Sequence, residues 1–161
     1  MSNVLTPKQK EATPAFTKEN HKKIERFAKS HWEGNLKTGK GTISTESKVL
    51  DCSKFSFTTR FNQEEKGTNP EELLAAAHAG CFTMSVASLL AAKGFLAKSL
   101  DTKATVVMEG LQIKSVLLVI SGSVDSLLAE DFAKITLEAQ KTCMISAILK
   151  IPVKLETKFI A

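Results

Sequence analysis

The sequence predicts an α+β protein in which one long apolar helix packs against a mostly antiparallel sheet. Three observations support this. Residues 68–94 have the pattern of one long helix, with start and stop signals at its two ends. Segments rich in β-branched and aromatic residues lie on both sides of this helix. The links between neighbouring strand segments are short, as antiparallel pairs require. The predicted order, β-β-β-α-β-β-α-α-β, is typical of the α+β class.

Three strands are predicted before the helix and three after it. The first hairpin combines residues 28–36 with residues 42–49, across a glycine-rich turn. A third strand is predicted at 55–61, where aromatic and threonine side chains alternate and Arg60 falls on the opposite face. The later elements are strands at 102–108 and 113–124, helices at 128–141 and 144–149, and a last strand at 153–159.

Charge divides the chain into an extension and a body. The net charge of +5 is concentrated in residues 1–29, which carry seven Lys/Arg and three acids. The nearly neutral remainder does not indicate a nucleic-acid groove. We interpret residues 1–27 as a basic N-terminal extension with a weak helical candidate at 17–27, and residues 28–161 as one domain. No apolar secretory signal is evident, and three cysteines in such a chain are expected to be reduced. We therefore expect a cytoplasmic protein.

The predicted long helix has a cap at each end. Asn69 suits the N-cap, Pro70 the first helical position and Glu72 the third, close to a capping box. Gly94 is a natural stop. Residues 73–92 contain no formally charged side chain and are long enough for a membrane span. However, the segment is rich in alanine and includes polar side chains, so a buried helix is the better interpretation.

This helix predicts a homodimer. It would span about 35 Å and is apolar on nearly all faces, so it must be buried all round. A single sheet of five or six strands covers only one side. A second copy of the chain, in an intertwined homodimer, is the simplest cover for the other side. The alternative is that the later helices cover it within one subunit.

Cys81 lies in the middle of the helix, where a free cysteine is often only a packing residue. The helix dipole cannot activate it, because that effect fades within the first turn. A reactive thiolate here would need an Arg or Lys from elsewhere. His78, three residues earlier, could pair with Cys81 for acyl transfer or join Cys143 as a metal ligand. A core histidine is the better interpretation, and we expect no metal, since no CxxC or HxxxH spacing is present.

Several motifs together resemble one known family. They are Gly-Thr-Asn-Pro-Glu-Glu-Leu at 67–73, Ala-Ala-His-Ala-Gly-Cys-Phe at 76–82, His-Trp-Glu-Gly at 31–34, Gly-Lys-Gly-Thr at 39–42, Ser-Thr-Glu-Ser at 44–47 and Phe-Thr-Thr-Arg-Phe at 57–61. Residues 99–102 and 143–150 match more loosely. Over about residues 29–160, the chain resembles the osmotically inducible protein C (OsmC) family. That family is related to the organic hydroperoxide resistance (Ohr) proteins.

The resemblance implies a function and a set of site residues. Family members are thiol-dependent peroxidases that reduce organic hydroperoxides to alcohols, and they take part in oxidative and osmotic stress responses. It implies a peroxidatic Cys81, a resolving Cys143, and Arg60 and Glu71 completing the site. Arg60 would hold the Cys81 thiolate and Glu71 would orient Arg60. It also implies the OsmC/Ohr fold, an intertwined α+β homodimer with two sites at the subunit interface. No bound cofactor is implied, but an external dithiol reductant is expected, such as the dihydrolipoyl group of a lipoylated protein.

Two features complicate this assignment. Glu71 precedes Cys81 by ten residues, about 15 Å along a straight helix. Arg60 must therefore bridge them, the helix must bend, or one of them comes from a second subunit. The family also commonly has proline where this chain has Met144. Cys52 matches no family position and is interpreted as an incidental thiol.

Two other functions are compatible with the same sequence. The protein could be a non-enzymatic binding protein that holds a small hydrophobic ligand in an apolar dimer cleft. It could also be a cysteine hydrolase that acts through His78.

Overall fold

The computed structural model describes residues 23–62 and 64–160. Its strands and helices, in chain order, are β1 (Ala28–Glu33), β2 (Lys40–Thr45), β3 (Ser53–Phe55), α1 (Pro70–Ala92), β4 (Ala97–Glu109), β5 (Gln112–Val124), α2 (Ala129–Thr142), α3 (Met144–Ile148) and β6 (Val153–Phe159). This order agrees with the sequence prediction. Residues 23–27 of the helical candidate have no regular secondary structure, and the rest of it lies outside the described residues.

The described strands form two three-stranded sheets, so the expectation of a single sheet was wrong. The first has the order β1-β2-β3 and is antiparallel. The second has the order β4-β5-β6, in which β4 and β5 are antiparallel and β5 and β6 parallel. The sheets remain separate because β3 is short and the chain turns away after Phe55, which forms only an isolated bridge with Thr68.

The predicted third strand at 55–61 was also wrong beyond Phe55. The Ser56 N–H donates to Thr59 Oγ1 and the Thr59 N–H donates to Ser56 Oγ, each over 3.1 Å. Such local side-chain bonds compete with a strand ladder. They form a 3-10 turn over Thr58–Arg60. Arg60 is therefore in a tight turn just before α1 and not on the face of a strand.

The predicted ends of α1 are confirmed. Asn69 Oδ1 accepts a hydrogen bond from the Glu72 N–H over 2.8 Å, and Pro70 is the first helical residue. Gly94 follows the helix with a φ of +84°, in the left-handed region that glycine adopts readily. The Glu72 carboxylate accepts from the Thr68 hydroxyl, which fixes the chain entering the helix.

The core lies between α1, the second sheet and α2. One stripe of α1 is buried, at His78, Phe82, Val86 and Leu90. The helix packs mainly on β4 and α2. Its buried stripe belongs to one core cluster with alternate residues of β5 and the inner side of α2, namely Val116, Leu118, Ile120, Phe132, Ile135 and Ala139.

No part of residues 23–62 and 64–160 covers the opposite side of α1, and Met84 on it is 67% exposed. The exposed residues of this side are Ala76, Ala77, Gly80, Met84, Ala87 and Ser88. Although α2 and α3 both pack on α1, they leave this side open, so the alternative that the later helices cover it within one subunit was wrong. The helix is long and apolar enough to cross a membrane by length and composition alone, which is weak support for a span. The uncovered side leaves room for the predicted second subunit.

Candidate active site

Two cysteines meet where α1 passes the junction of α2 and α3. Cys143 caps the end of α2, where its N–H donates to the Ala139 carbonyl over 2.8 Å, and it begins α3 with an extended backbone. The Sγ atoms of Cys81 and Cys143 are 3.3 Å apart. Cys143 is fully buried, whereas Cys81 is partly exposed. The structure therefore contains a close reduced pair in which only Cys81 can be reached from outside.

The surroundings of the two sulfurs shift the pKa of the two thiols in opposite directions. Burial raises the pKa of Cys81, and the hydrogen bond with Cys143 adds to this, while the N–H groups of Ile145 and Met144 oppose it. Burial alone would raise the pKa of Cys143 too. There, however, the Ser146 N–H and hydroxyl, the Cys81 thiol and the Ile145 N–H together lower the pKa below its ordinary value.

In the isolated chain, Cys81 is therefore the thiol whose ionisation its surroundings oppose, because burial raises its pKa. A charge that stabilises the Cys81 thiolate must come from a group other than these neighbours.

The candidate cation, Arg60, is bound to Glu71 at the start of α1. Arg60 Nε donates to Glu71 Oε2 over 3.1 Å, and a terminal nitrogen donates to Oε1, so the pair is bidentate. Their side chains are only 26% and 11% exposed. The hydrogen bond raises the pKa of Arg60 and lowers the pKa of Glu71, so both are charged at neutral pH. Glu71 also lies in the first turn of α1, where the helix dipole favours a carboxylate.

The turn before α1 holds Arg60 in place. Asn69 Nδ2 donates to the Thr59 carbonyl over 3.1 Å, and Thr59 Oγ1 donates to the Thr68 carbonyl over 2.9 Å. The residue before Arg60 is thus tied by both backbone and side chain to the segment that enters the helix. This fixes the guanidinium over the first turn of α1.

An apolar pocket of about 290 Å³ opens beside Arg60. It is lined by Trp32, Leu36, Phe55, Ser56, Phe57, Arg60 and Pro70. The Trp32 and Phe55 rings pack with centroids 5.6 Å apart. Gly41 lies beneath both, and a Cβ there would come within 2.8 Å of the indole and collide with the Phe55 ring. The pocket is therefore an aromatic cleft with one cation at its edge, a lining typical of small-molecule sites.

The structure brings the four predicted site residues together as two separate pairs. Glu71 and Cys81 are ten residues apart on one continuous helix, about 15 Å by helical rise. The groups with the largest effects on the pKa of the two thiols include no Arg or Lys of the described residues. Because Arg60 is held by Glu71, it does not bridge to Cys81 within the chain.

The surroundings of His78 do not fit a role in acyl transfer with Cys81 or in metal binding. It is fully buried, and its Nε2 lies 2.7 Å from Ser146 Oγ. Burial lowers its pKa. Within residues 23–62 and 64–160, no hydrogen bond joins it to Cys81, and no group of three potential ligands could hold a metal ion.

The sequence reasoning missed Ser146 and the aromatic pocket. Ser146 lies in a five-residue helix that has no side-chain cap, so no local signal identified it. The pocket had no local signal either, because it forms only when the β1–β2 hairpin meets the turn before α1.

Comparisons with known proteins agree with this architecture. A sequence model of the family described as "OsmC-like protein" matches residues 63–158. The chain is 42% identical to peroxiredoxin OsmC of Escherichia coli over 137 residues, which cover 83% of this chain and 95% of that protein. The identity and coverage are the same for peroxiredoxin OsmC of Shigella flexneri.

Solved structures show the same fold. The organic hydroperoxide resistance protein OhrB of Bacillus subtilis superposes with a TM-score of 0.62 at 24% identity, covering 82% of this chain and 98% of that one. An OsmC-like protein of unknown function from Vibrio cholerae superposes with a TM-score of 0.66 at 15% identity, covering 84% and 99%. The predicted α+β class with a long central helix is confirmed, and the chain belongs to the OsmC/Ohr family of OsmC-like proteins.

Proposed function

We propose that this protein is a thiol peroxidase that reduces organic hydroperoxides to alcohols, with Cys81 as the peroxidatic and Cys143 as the resolving cysteine. The observation that carries the proposal is the 3.3 Å separation of a partly exposed and a buried thiol. The name peroxiredoxin given to the 42% identical relative supports the same activity.

The chemistry has two steps within the protein. The Cys81 thiolate attacks one peroxide oxygen, the O–O bond breaks, and the other oxygen takes a proton and leaves as the alcohol. Cys81 becomes a sulfenic acid. Cys143 then attacks the Cys81 sulfur, so that the S–O bond breaks, the S–S bond forms and water leaves. An external dithiol reduces this disulfide by exchange, and we propose a dihydrolipoyl group of a lipoylated protein. This cycle needs a compartment that keeps thiols reduced between turnovers, and we propose the cytoplasm.

The site is completed by a second copy of the chain. The uncovered apolar side of α1 is the surface of one protomer that a homodimer would bury. Two-fold packing along this helix would bring the Arg60–Glu71 pair of one protomer towards the thiols of its partner. Arg60 would then stabilise the Cys81 thiolate and the charge that develops on the leaving oxygen, while Glu71 orients Arg60. The aromatic pocket beside Arg60 would take the organic group of the substrate.

A coupled assay tests the proposed activity. The reduced protein is mixed with cumene hydroperoxide and dihydrolipoamide, and peroxide loss is followed over time. We expect sustained turnover that Cys81→Ser abolishes. Cys52→Ser is the matched control, since the Cys52 side chain is exposed and lies in a different part of the fold. Absence of peroxide loss in the unsubstituted protein would overturn the proposal.

The apolar pocket also supports a second candidate, a binding protein for a small hydrophobic molecule. Such a protein would bind cumyl alcohol or a fatty acid without consuming peroxide. It would retain all its thiols in the assay above.

A further inference from the structure

Glu65 is an exposed residue on the loop between Arg60 and α1, and the proposed reaction gives it no role. Its Oε1 nonetheless accepts a hydrogen bond over 2.8 Å from the hydroxyl of Ser56, nine positions earlier in the chain. The Thr58 and Ser56 hydroxyls lower the pKa of Glu65, so its side chain is a carboxylate at neutral pH. The loop is thereby fastened to the start of the turn that carries Arg60.

Ser56 is the residue through which this bond acts on the turn. Its side chain is almost buried, and its Oγ also accepts the Thr59 N–H over 3.1 Å. A hydroxyl has one hydrogen and two lone pairs, and a carboxylate can only accept. Ser56 therefore gives its hydrogen to Glu65, which leaves the lone pairs of the same oxygen for the Thr59 N–H.

The turn depends on such side-chain bonds because its own backbone bonding is weak. The Arg60 N–H reaches the carbonyl three residues earlier only over 3.4 Å, a long hydrogen bond. The Ser56 and Thr59 side chains each bond to the other's N–H instead, in the reciprocal pattern of a capping box. Asn69 holds the far side of the turn through the Thr59 carbonyl. Glu65 and Ser56 hold the side on which the chain enters it.

We propose that Glu65 and Ser56 are positioning residues for Arg60: the carboxylate orients the hydroxyl, and the hydroxyl fixes the turn that carries the guanidinium. The proposal rests on the proposed function, in which Arg60 stabilises the Cys81 thiolate and the charge on the leaving oxygen. Neither residue makes or breaks a bond in the reaction. Their effect should therefore be seen when Cys81 is oxidised and not when the disulfide forms.

Matched substitutions separate this role from charge and packing. Glu65→Ala removes the acceptor, whereas Glu65→Gln keeps a carbonyl oxygen and removes only the charge. Ser56→Ala removes the hydroxyl. Glu64→Ala deletes the same charge one residue earlier on the same exposed loop and is the control. Because the two proposed residues act in series, Glu65→Ala combined with Ser56→Ala should behave like Ser56→Ala alone.

The first measurement requires no peroxide, because the chain has only two arginines, Arg26 and Arg60. Protein isotope-labelled at arginine Nε gives one N–H signal for each in an NMR spectrum, and Arg26→Lys identifies the signal of Arg60. The Arg26 side chain is 77% exposed, whereas the Arg60 Nε–H is donated to Glu71. In the parent protein, we expect the Arg60 signal to exchange with water more slowly than the Arg26 signal.

The variants should change this exchange rate according to the hydrogen bond they keep. Exchange at Arg60 should be about fivefold faster in Glu65→Ala and Ser56→Ala, the effect of one lost hydrogen bond. Glu65→Gln and Glu64→Ala should keep the parental rate.

The second measurement follows both steps at Cys81 by rapid quenching with cumene hydroperoxide and mass spectrometry. Sulfenic acid formation should be about fivefold slower in Glu65→Ala and Ser56→Ala, since the same hydrogen bond is lost. Disulfide formation should keep its parental rate in every variant, which a general loss of structure would not allow. In an Arg60→Ala background, Glu65→Ala should slow oxidation no further.

The outcomes distinguish this inference from the proposed function. If the parent protein forms no sulfenic acid, the peroxidase proposal fails, but the exchange of the Arg60 signal still tests the positioning. If Glu65→Ala keeps the parental exchange and oxidation rates, the inference is wrong. It is also wrong if Glu64→Ala has the same effect, or if Glu65→Ala slows oxidation equally without Arg60. Should Ser56→Ala fail to fold, the comparison of Glu65→Ala with Glu65→Gln decides the result.

Discussion

Two inactive variants should restore each other's activity if Arg60 acts across a dimer. In one chain, Arg60 is bound to Glu71 about 15 Å along α1 from Cys81. Cys81→Ser removes the nucleophile, and Arg60→Ala removes the proposed activating cation at a cost of about a hundredfold in rate. A mixed dimer of these variants contains one site with an intact Cys81 facing an intact Arg60. Each variant alone contains none.

The expected magnitude follows from random pairing. The two variants are unfolded together in equal amounts and refolded, and peroxide turnover is compared with that of the refolded parent. Half of the dimers are mixed and each has one working site of two, so about a quarter of the parental activity should return. If Arg60 acted within its own chain, the mixture would stay near zero.

A second mixture provides the control. The parent chain is refolded with a chain that carries both Cys81→Ser and Arg60→Ala. Action across the dimer predicts about a quarter of the parental activity, because mixed dimers contain no complete site. Action within one chain predicts about half, and that result would refute the reasoning.

Three further predictions concern individual residues. Glu71→Gln should lower the free energy of unfolding by about 1–2 kcal/mol at neutral pH in urea titrations, since it weakens a half-buried bidentate ion pair. The pKa of Glu71 is lowered in the folded protein. The stability from this ion pair is therefore present above the carboxyl's ordinary pKa and is lost as pH falls through the folded pKa. The difference in unfolding free energy between the parent and Glu71→Gln should shrink in acid, and a constant difference would contradict the role of the ion pair. Met144→Pro should raise the pKa of Cys81 and slow sulfenic acid formation severalfold, because it deletes one N–H that acts on the Cys81 sulfur. The helix itself should form, since proline is tolerated at a first helical position. An unchanged pH–rate profile would count against this prediction. Trp32→Ala should reduce the preference for cumene hydroperoxide over hydrogen peroxide by about tenfold, as judged by kcat/KM, through lost apolar contact in the pocket; an equal loss for both substrates would indicate a general structural effect.

The parts of the fold that local chemistry determines could be predicted from the sequence. Asn69, Pro70 and Gly94 act within a few residues of their own positions, and the structure uses each as predicted. The last strand occupies the predicted residues 153–159. Alternation and capping sufficed there because no distant contact competes with them.

Where two local patterns conflict, the prediction failed. Phe55, Phe57 and Phe61 alternate as in a strand, but Ser56 and Thr59 bond to each other's backbone and make a turn instead. The strand prediction includes Thr59 in the alternating pattern and gives Ser56 no role. Their competing bonds decide the structure and place Arg60 beside Glu71.

The candidate site could be predicted only in part. The resemblance to the OsmC family indicated Cys81, Cys143, Arg60 and Glu71, and the structure forms two pairs from them. The contact between His78 and Ser146 joins residues 68 positions apart, so no local pattern could predict it. The separation of the Arg60–Glu71 pair from the two cysteines likewise depends on α1, which runs unbroken from Glu71 to Cys81.

If the protein works as proposed, Cys81 and Cys143 form a disulfide when an organic hydroperoxide is reduced. The reduced protein is treated with one equivalent of cumene hydroperoxide, blocked with an alkylating agent, digested without reductant and analysed by mass spectrometry. We expect a peptide pair linked through Cys81 and Cys143, with Cys52 alkylated. Recovery of Cys143 as an alkylated thiol, or oxidation of Cys52 in place of Cys81, would contradict the account.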